Sequence, residues 1–300
     1  MQEILLVGGT GLIGGTAALH LQALGHEVTL LARAAPKVAS LATLPFLPGN
    51  YAEEDWTDGR LEGFDTLVFA AGGDIRHVPT DGSMSQDEFF MRYNAEAIPR
   101  FFEAARAAGI RRAIQVGTFY PHVAPEKAAT SAYVRSRKLA DERTRAIISA
   151  GFEVCSLNPP VVLGHLPGLE IAYQRYMCQY ARGRLEGVPM FASPGGVNHI
   201  SARSLAQAVA GAVAKGEPGR AYLVGDENLS FKEYLELWCR LAGNPQTLEV
   251  RDEEHPLFPD MILYAGRGAT VSYEPEGVDE LGYSRHQVAD TIRQILEAYD

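Results

Sequence analysis

Apolar residues in the first half of the chain fall into short unbroken runs separated by longer stretches of helical spacing. Ile4-Leu5-Leu6-Val7 is the first run. Ile13, Ala17, Leu21 and Leu24 then recur at helical intervals, and Gly25 supplies a stop before the run Val28 to Leu31. Thr66 to Ala70, Ala113 to Val116 and Val154 to Leu157 read as further strands. Helices are predicted around Glu88 to Ala108 and Tyr133 to Ala150. Strands that are apolar at every position are buried on both faces, and their alternation with helices predicts βαβ units around a parallel sheet.

The texture changes after Pro159-Pro160. Pro167-Gly168, Gly183, Gly187, Pro194-Gly195-Gly196 and Pro218-Gly219 punctuate shorter elements. This predicts a division into a nucleotide-binding domain over 1–158 and a smaller lobe over 159–300 that partly returns to the main sheet. Val288, Ile292, Ile295, Leu296 and Tyr299 mark a closing surface helix.

Composition narrows the function classes. The chain has 300 residues, 46% hydrophobic and 21% charged, which argues against disorder and fibrous architectures. A net charge of −10 without a basic block disfavours nucleic acid and anionic membrane as partners. Cys155, Cys178 and Cys239 are widely spaced and odd in number, so neither a disulfide framework nor a zinc site is expected. No run reaches the ~18 apolar residues of a spanning helix. Met1-Gln2-Glu3 lacks the basic start of a signal peptide, and a cytoplasmic location is expected by exclusion.

The strongest local signal is Gly8-Gly9-Thr10-Gly11-Leu12-Ile13-Gly14, which lies between the first strand and the first helix. Glycines at this spacing permit a tight turn and let the backbone approach a pyrophosphate. The helix N-terminus then offers N–H groups and partial positive charge to that anion. The second predicted strand ends in Leu30-Leu31-Ala32-Arg33. An acidic residue there would pair with a ribose 2′-hydroxyl and indicate NAD. Arg33 instead suits a 2′-phosphate, so NADP is expected as cofactor, with NAD possible.

Further motifs follow in a specific order. They are Gly49-Asn50-Tyr51, Phe69-Ala70-Ala71-Gly72, Tyr93-Asn94-Ala95-Glu96, Val116-Gly117-Thr118, Tyr133 to Asp141, and Leu157-Asn158-Pro159-Pro160-Val161-Val162-Leu163-Gly164. With Val197-Asn198-His199-Ile200 beyond them, the arrangement resembles the extended short-chain dehydrogenase/reductase family of NAD(P)-dependent epimerases, dehydratases and reductases. The resemblance spans most of the chain. It implies a Rossmann-type doubly wound parallel sheet with a smaller C-terminal substrate lobe. It also implies a cofactor contacted by Gly8, Thr10, Gly11, Leu12, Ile13, Arg33, Asn50, Tyr51, Ala70, Ala71, Gly72, Pro159, Val161 and Val162. A homodimer through the helices after Gln86 and Thr130 is a further implication.

The family implies Tyr133 as acid/base and Thr118 as the group orienting the substrate oxygen. A phenol ionises near 10 when unperturbed, and a fixed cation nearby favours its charged form. The family's lysine falls four residues after the tyrosine, on the same helical face. Here that position holds Arg137, and Lys138 follows on a different face. Either Arg137 takes over the lysine's place as catalytic and ribose-holding cation, or a local irregularity brings in Lys138, or the site is impaired. Arginine keeps its charge but cannot pass on a proton. Asn50, where an acidic residue is usual, is a second departure.

Asn94 is either a water anchor or a structural asparagine. His77, His165 and His199 are too scattered for a metal site, and none is expected. The segment Ile171, Tyr173, Tyr176, Met177 and Tyr180 either lines an apolar pocket or packs as core. Arg175, Arg182, Arg184 and Arg203 either receive a diphosphate or stand solvated. The leading expectation is an NADP-dependent oxidoreductase that interconverts a secondary alcohol and a carbonyl on a small organic substrate. A nucleotide-sugar epimerase or dehydratase and a non-catalytic NAD(P)-binding sensor or scaffold are the alternatives.

Overall fold

The computed structural model describes residues 1–300. The first half runs β1 (Glu3–Val7), α1 (Leu12–Ala23), β2 (Glu27–Ala32), β3 (Phe46–Pro48) and β4 (Thr66–Phe69). α2 (Gln86–Phe90), a π-helical turn (Met91–Glu96) and α3 (Ala97–Ala107) form one continuous rod. β5 (Arg112–Val116), α4 (Tyr120–Val123), α5 (Ala132–Ala146) and β6 (Glu153–Leu157) follow. The second half holds β7 (Val161–Leu163), α6 (Ala172–Ala181), β8 (Phe191–Ala192), β9 (Gly196–Ser201), α7 (Ala202–Lys215) and β10 (Ala221–Tyr222). It ends with β11 (Glu227–Ser230), α8 (Phe231–Leu241), β12 (Glu249–Val250), β13 (Thr270–Val271), α9 (Val278–Leu281) and α10 (Val288–Ala298).

The main sheet has seven strands in the order β10-β6-β5-β4-β1-β2-β3, all parallel. The protein is therefore an α/β fold of the Rossmann type. Alternate residues of β1 feed different cores. Ile4 and Leu6 join a cluster with α1 and α7, whereas Leu5 and Val7 join one with α3 and α5. That two-sided burial is why the run is apolar at every position. The C-terminal half contributes α7 and β10 to this body, and a four-stranded sheet β11-β9-β13, with β7 on β9, lies beside it. No helix is long and apolar enough to cross a membrane.

Three elements differ from the sequence expectation. The helix expected over Glu88 to Ala108 contains the π turn, and Pro99 explains part of its irregularity. Proline has no N–H to give the carbonyl four residues back. Arg143 of α5 supplies that donor instead, Nη1 to the Ala95 carbonyl at 2.8 Å. The helix expected to reach Ala150 stops at Ala146, because the chain turns through Gly151 at φ +88° to enter β6. The segment at Val161 and Val162, expected as a loop, is strand β7, as two adjacent β-branched residues favour.

α7 braces α1 through the shared cluster of Leu205, Val209 and Ala212 with Ala17 and Leu21. Gly211 on α7 lets the α9 backbone come close, since a Cβ there would collide with the Leu281 carbonyl. Ordinarily glycine to alanine in a helix gains ~1 kcal/mol. Here the sign reverses, and Gly211→Ala is expected to cost about 1–3 kcal/mol, read as a lower denaturant midpoint.

Candidate active site

The strand order reverses between β1 and β4, which opens a crevice at their C-terminal ends. Gly8 follows β1 with φ +83°, and a Cβ on it would lie 2.8 Å from the Ala70 carbonyl that follows β4. A Cβ on Gly14 would collide with the Gly8 carbonyl. The turn therefore closes only with glycine at both positions. Gly11 is the N-cap of α1 and no side chain caps it. The first-turn N–H groups are thus left for an anion. Thr10, Leu12 and Ile13 stand partly buried around this mouth.

Arg33 follows β2, is exposed and pairs with no carboxylate. Its charge is felt by Tyr51, His77 and Tyr93, which places it along the same crevice. Asn50 is engaged locally: its Oδ1 accepts from the Ala52 N–H at 3.1 Å. Tyr51 donates to the Tyr93 carbonyl at 3.1 Å and sets its ring edge-on to Phe69. Ala71 and Gly72 continue the turn after β4.

α5 carries the central side chains. Ser131 caps it, accepting from the Val134 N–H at 3.3 Å, and the helix is regular from Ala132 onward. Tyr133 and Arg137 therefore share a face. Lys138 lies on the next face, half-exposed beside Glu142 at 3.9 Å, so no irregularity brings it in. Arg137 is buried (8% exposed). Its Nη2 donates to the Val116 carbonyl at 3.2 Å, at the end of β5, while its buried Nε has no partner. No carboxylate pairs with it. A Cβ on Gly72 would collide with its Nη1. Asn94, fully buried in the π turn, ties this region together. Its Oδ1 accepts from the Gly73 N–H at 2.7 Å, and its Nδ2 donates to the Gly73 carbonyl at 3.1 Å and to Ser136 Oγ at 3.2 Å.

Thr118 is buried, with its N–H donating to Asn158 Oδ1 at 3.2 Å, and its side chain favours the charged form of the Tyr133 phenol. Arg137 also favours that form. Burial outweighs both and pushes the phenol above its ordinary value, with Asp74 adding to the rise. The expected pull towards neutrality is thus not realised by the protein groups alone. Asp74 and Arg76 form an ion pair at 2.7 Å near the phenol.

The remaining expected contributors have the following surroundings. Pro159 is buried and its carbonyl accepts from the Phe119 N–H at 3.1 Å; Val161 is half-exposed, and Val162 packs against the main core. In the Ile171–Tyr180 segment, Met177 and Tyr180 are core beside Trp238, whereas Tyr173 and Tyr176 are exposed. Arg175 pairs with Glu170. Arg182 holds the carbonyls of Leu296 and Tyr299 at 2.9 Å each. The one histidine–carboxylate group close enough for a metal is Asp226, Glu227 and His286. Its carboxylates accept the N–H groups of His286, Gln287 and Val288 and so cap α10. His199 is buried against Tyr234, and burial lowers it to about 3.

Asn158 and Tyr264 are among the site neighbours to which the sequence alone assigned no role. Asn158 fixes the Thr118 backbone, and its signal was its place directly after β6. Tyr264 stacks on Tyr133 with centroids 4.1 Å apart and planes at 14°, from a stretch with no periodicity or motif.

The fold and site define a nucleotide-binding α/β enzyme with a threonine, a tyrosine and a buried cation at the mouth of its crevice. The family model for the NAD dependent epimerase/dehydratase family matches residues 4–225, and the chain belongs to that family. It is 23% identical over 260 residues to the "Putative dihydroflavonol 4-reductase" of Synechocystis sp., covering 80% of this chain and 72% of that protein. It is 26% identical over 277 residues to the UDP-glucose 4-epimerase of Streptomyces lividans, covering 81% of this chain and 82% of that one. Among solved structures, a UDP-glucose-4-epimerase from Stenotrophomonas maltophila with bound NAD and formylated UDP-arabinopyranose matches with a TM-score of 0.74. It is 16% identical, and the match covers 100% of this chain and 98% of that one.

The cradle fits a dinucleotide: a glycine turn only glycine can close, an uncapped helix start, and an orphaned Nε on a buried guanidinium. Gly72→Ala is expected to evict that guanidinium and weaken dinucleotide binding about tenfold or more, as loss of a charge-assisted hydrogen bond would. Calorimetric titration measures it.

Proposed function

We propose that the protein is an NADP-dependent oxidoreductase that interconverts a secondary alcohol and a carbonyl on a small organic substrate. The observation that carries this reading is the convergence of Thr118, Tyr133 and a carboxylate-free Arg137 beneath Gly72. A nicotinamide coenzyme, when bound, supplies the hydride donor or acceptor. Gly8, Thr10, Gly11, Leu12 and Ile13 would hold its diphosphate, Arg33 its 2′-phosphate, and Arg137 its ribose.

The protein's own groups then handle the proton. In reduction the Tyr133 hydroxyl donates its proton to the carbonyl oxygen, which becomes the alcohol oxygen. The Thr118 hydroxyl donates a hydrogen bond to the same oxygen and fixes its position. Arg137 stays charged throughout and stabilises the phenolate left on Tyr133. Burial keeps the phenol protonated at neutral pH, which suits the proton-donating step. Arg137 preserves the positive charge one turn from the phenol, so its replacement of lysine gives no ground for a non-catalytic reading.

Nucleotide-sugar epimerisation is the second reading, favoured by the likeness to UDP-glucose 4-epimerases. Against it, Arg175 and Arg182 are committed to partners away from the phenol. A screen of nucleotide sugars against small ketones separates the two, because epimerisation leaves no net change in nicotinamide absorbance.

Tyr133→Phe is expected to lower turnover at least a hundredfold (~3 kcal/mol of lost acid catalysis) with coenzyme affinity nearly intact. Wild-type turnover in that variant refutes the mechanism. The protonated phenol is the competent form for reduction, and its pKa is raised. Reductive kcat should therefore stay flat from about pH 6 to about pH 9 and fall only at higher pH. Arg33→Ala should weaken NADP binding about tenfold and leave NAD nearly unchanged, measured by parallel titrations.

A further inference from the structure

Tyr264 lies 131 residues beyond Tyr133 in the sequence, yet its ring covers one face of the phenol ring. Tyr120 meets Tyr264 edge-on at 5.4 Å and 84°. Phe90 meets Tyr133 edge-on at 5.3 Å and 72°. The proton-donating phenol thus stands in an aromatic wall built from three separate stretches of chain. Such a wall exceeds what an acid/base tyrosine needs, because proton transfer uses only the hydroxyl.

The segment that presents Tyr264 is braced. A 3₁₀ turn at Asp260–Ile262 precedes it, and the Leu263 N–H donates to the Asp260 carbonyl at 3.0 Å. The flanking Leu263 and Ala265 pack on the cluster of Phe119, Val197, Phe231 and Val271. Arg267 ties the far side down, with Nη2 on Asp260 at 2.7 Å and Nη1 on the Asp252 carbonyl at 3.1 Å. A ring fixed in this way gives a ligand a preformed surface at little ordering cost. The ring itself is π-rich, and burial, with the nearby Asp74, holds the Tyr264 hydroxyl protonated.

We infer that Tyr264 is a specificity-determining residue, and that with Tyr120 it selects a planar, aromatic or conjugated carbonyl compound for the Tyr133 site. This rests on the oxidoreductase reading above and narrows its substrate class. A flat π system gains offset or edge-on contact with the pair, and a saturated substrate of equal size gains only area. The preference expected from such contacts is about fivefold to tenfold.

The test uses the full chain saturated with NADP, so that binding is read without turnover. Calorimetry compares acetophenone with its saturated counterpart, cyclohexyl methyl ketone. The wild type should bind acetophenone about fivefold to tenfold more tightly. Tyr264→Ala should bring the two affinities together, and Tyr264→Phe should retain the preference. NADP affinity, measured in each variant, should not change, which separates loss of the wall from misfolding. Equal affinities in the wild type, no binding of either ketone, or a preference that survives in Tyr264→Ala overturns the inference. Oxidation of NADPH by the same ketones is followed in parallel. An aromatic preference without any turnover leaves the assignment of Tyr264 standing and defeats the oxidoreductase reading. Turnover without the preference does the reverse.

Discussion

The guanidinium of Arg137 is the constraint around which the crevice is organised. A charged group removed from water costs several kcal/mol unless it is paired, and this one has no carboxylate in reach. The fold holds it in place from several directions. α5, capped by Ser131, fixes its backbone; the Val116 carbonyl at the end of β5 takes one N–H; and Gly72 leaves the space its Nη1 fills. Asn94 pins the Gly73 backbone to the same helix through Ser136. A buried cation kept unpaired at a crevice whose other walls are free N–H groups and glycine is a site prepared for a ligand rich in oxygen and negative charge.

The same burial governs the neighbouring phenol. Arg137 and Thr118 favour its ionised form, but loss of water around the ring outweighs them. Tyr264 and Phe90 contribute to that exclusion by covering the ring. Dryness and aromatic contact are therefore one arrangement with two effects: the phenol keeps its proton, and whatever approaches its hydroxyl passes along aromatic surface.

The main sheet was legible because its physics is local. Strands buried on both faces are apolar almost throughout, and Ile4 to Val7 shows it directly, its alternate residues feeding two different clusters. The glycine turn was legible because Gly8 and Gly14 tolerate no side chain. Helical spacing set Arg137 on the face of Tyr133 and Lys138 off it, but left open an irregularity that would bring Lys138 in, and only the regular α5 removes that alternative. What was not legible depends on long-range packing. The Ala95 carbonyl in the π turn, which Pro99 cannot serve, is satisfied by Arg143, 44 residues after Pro99 in the sequence. Tyr264 sits in a stretch whose residues satisfy no helical or strand period, and only long-range packing of the C-terminal half brings it to Tyr133. The aromatic run in α6 was periodic and conspicuous, yet its buried members face α8 and α10, because periodicity reports that a face is buried and not what covers it.

The C-terminal half bears on substrate charge by the same reasoning. Its arginines are numerous, but most are committed: Arg175 to Glu170, Arg267 to Asp260, and Arg285 to the Asp226 carbonyl. Arg182 closes the C-terminal helix by holding its last carbonyls, a place where a cation also complements the helix dipole. Arg184 and Arg203 are exposed and hold no side-chain partner, whereas α10 would lose an anchor if a diphosphate drew Arg182 away. The surface nearest Tyr133 is instead aromatic, and its charged pair, Asp74 with Arg76, is already neutralised. A neutral, flat substrate uses that aromatic surface and asks for no further cation, which is the physical reason for proposing the carbonyl reading ahead of the nucleotide-sugar one.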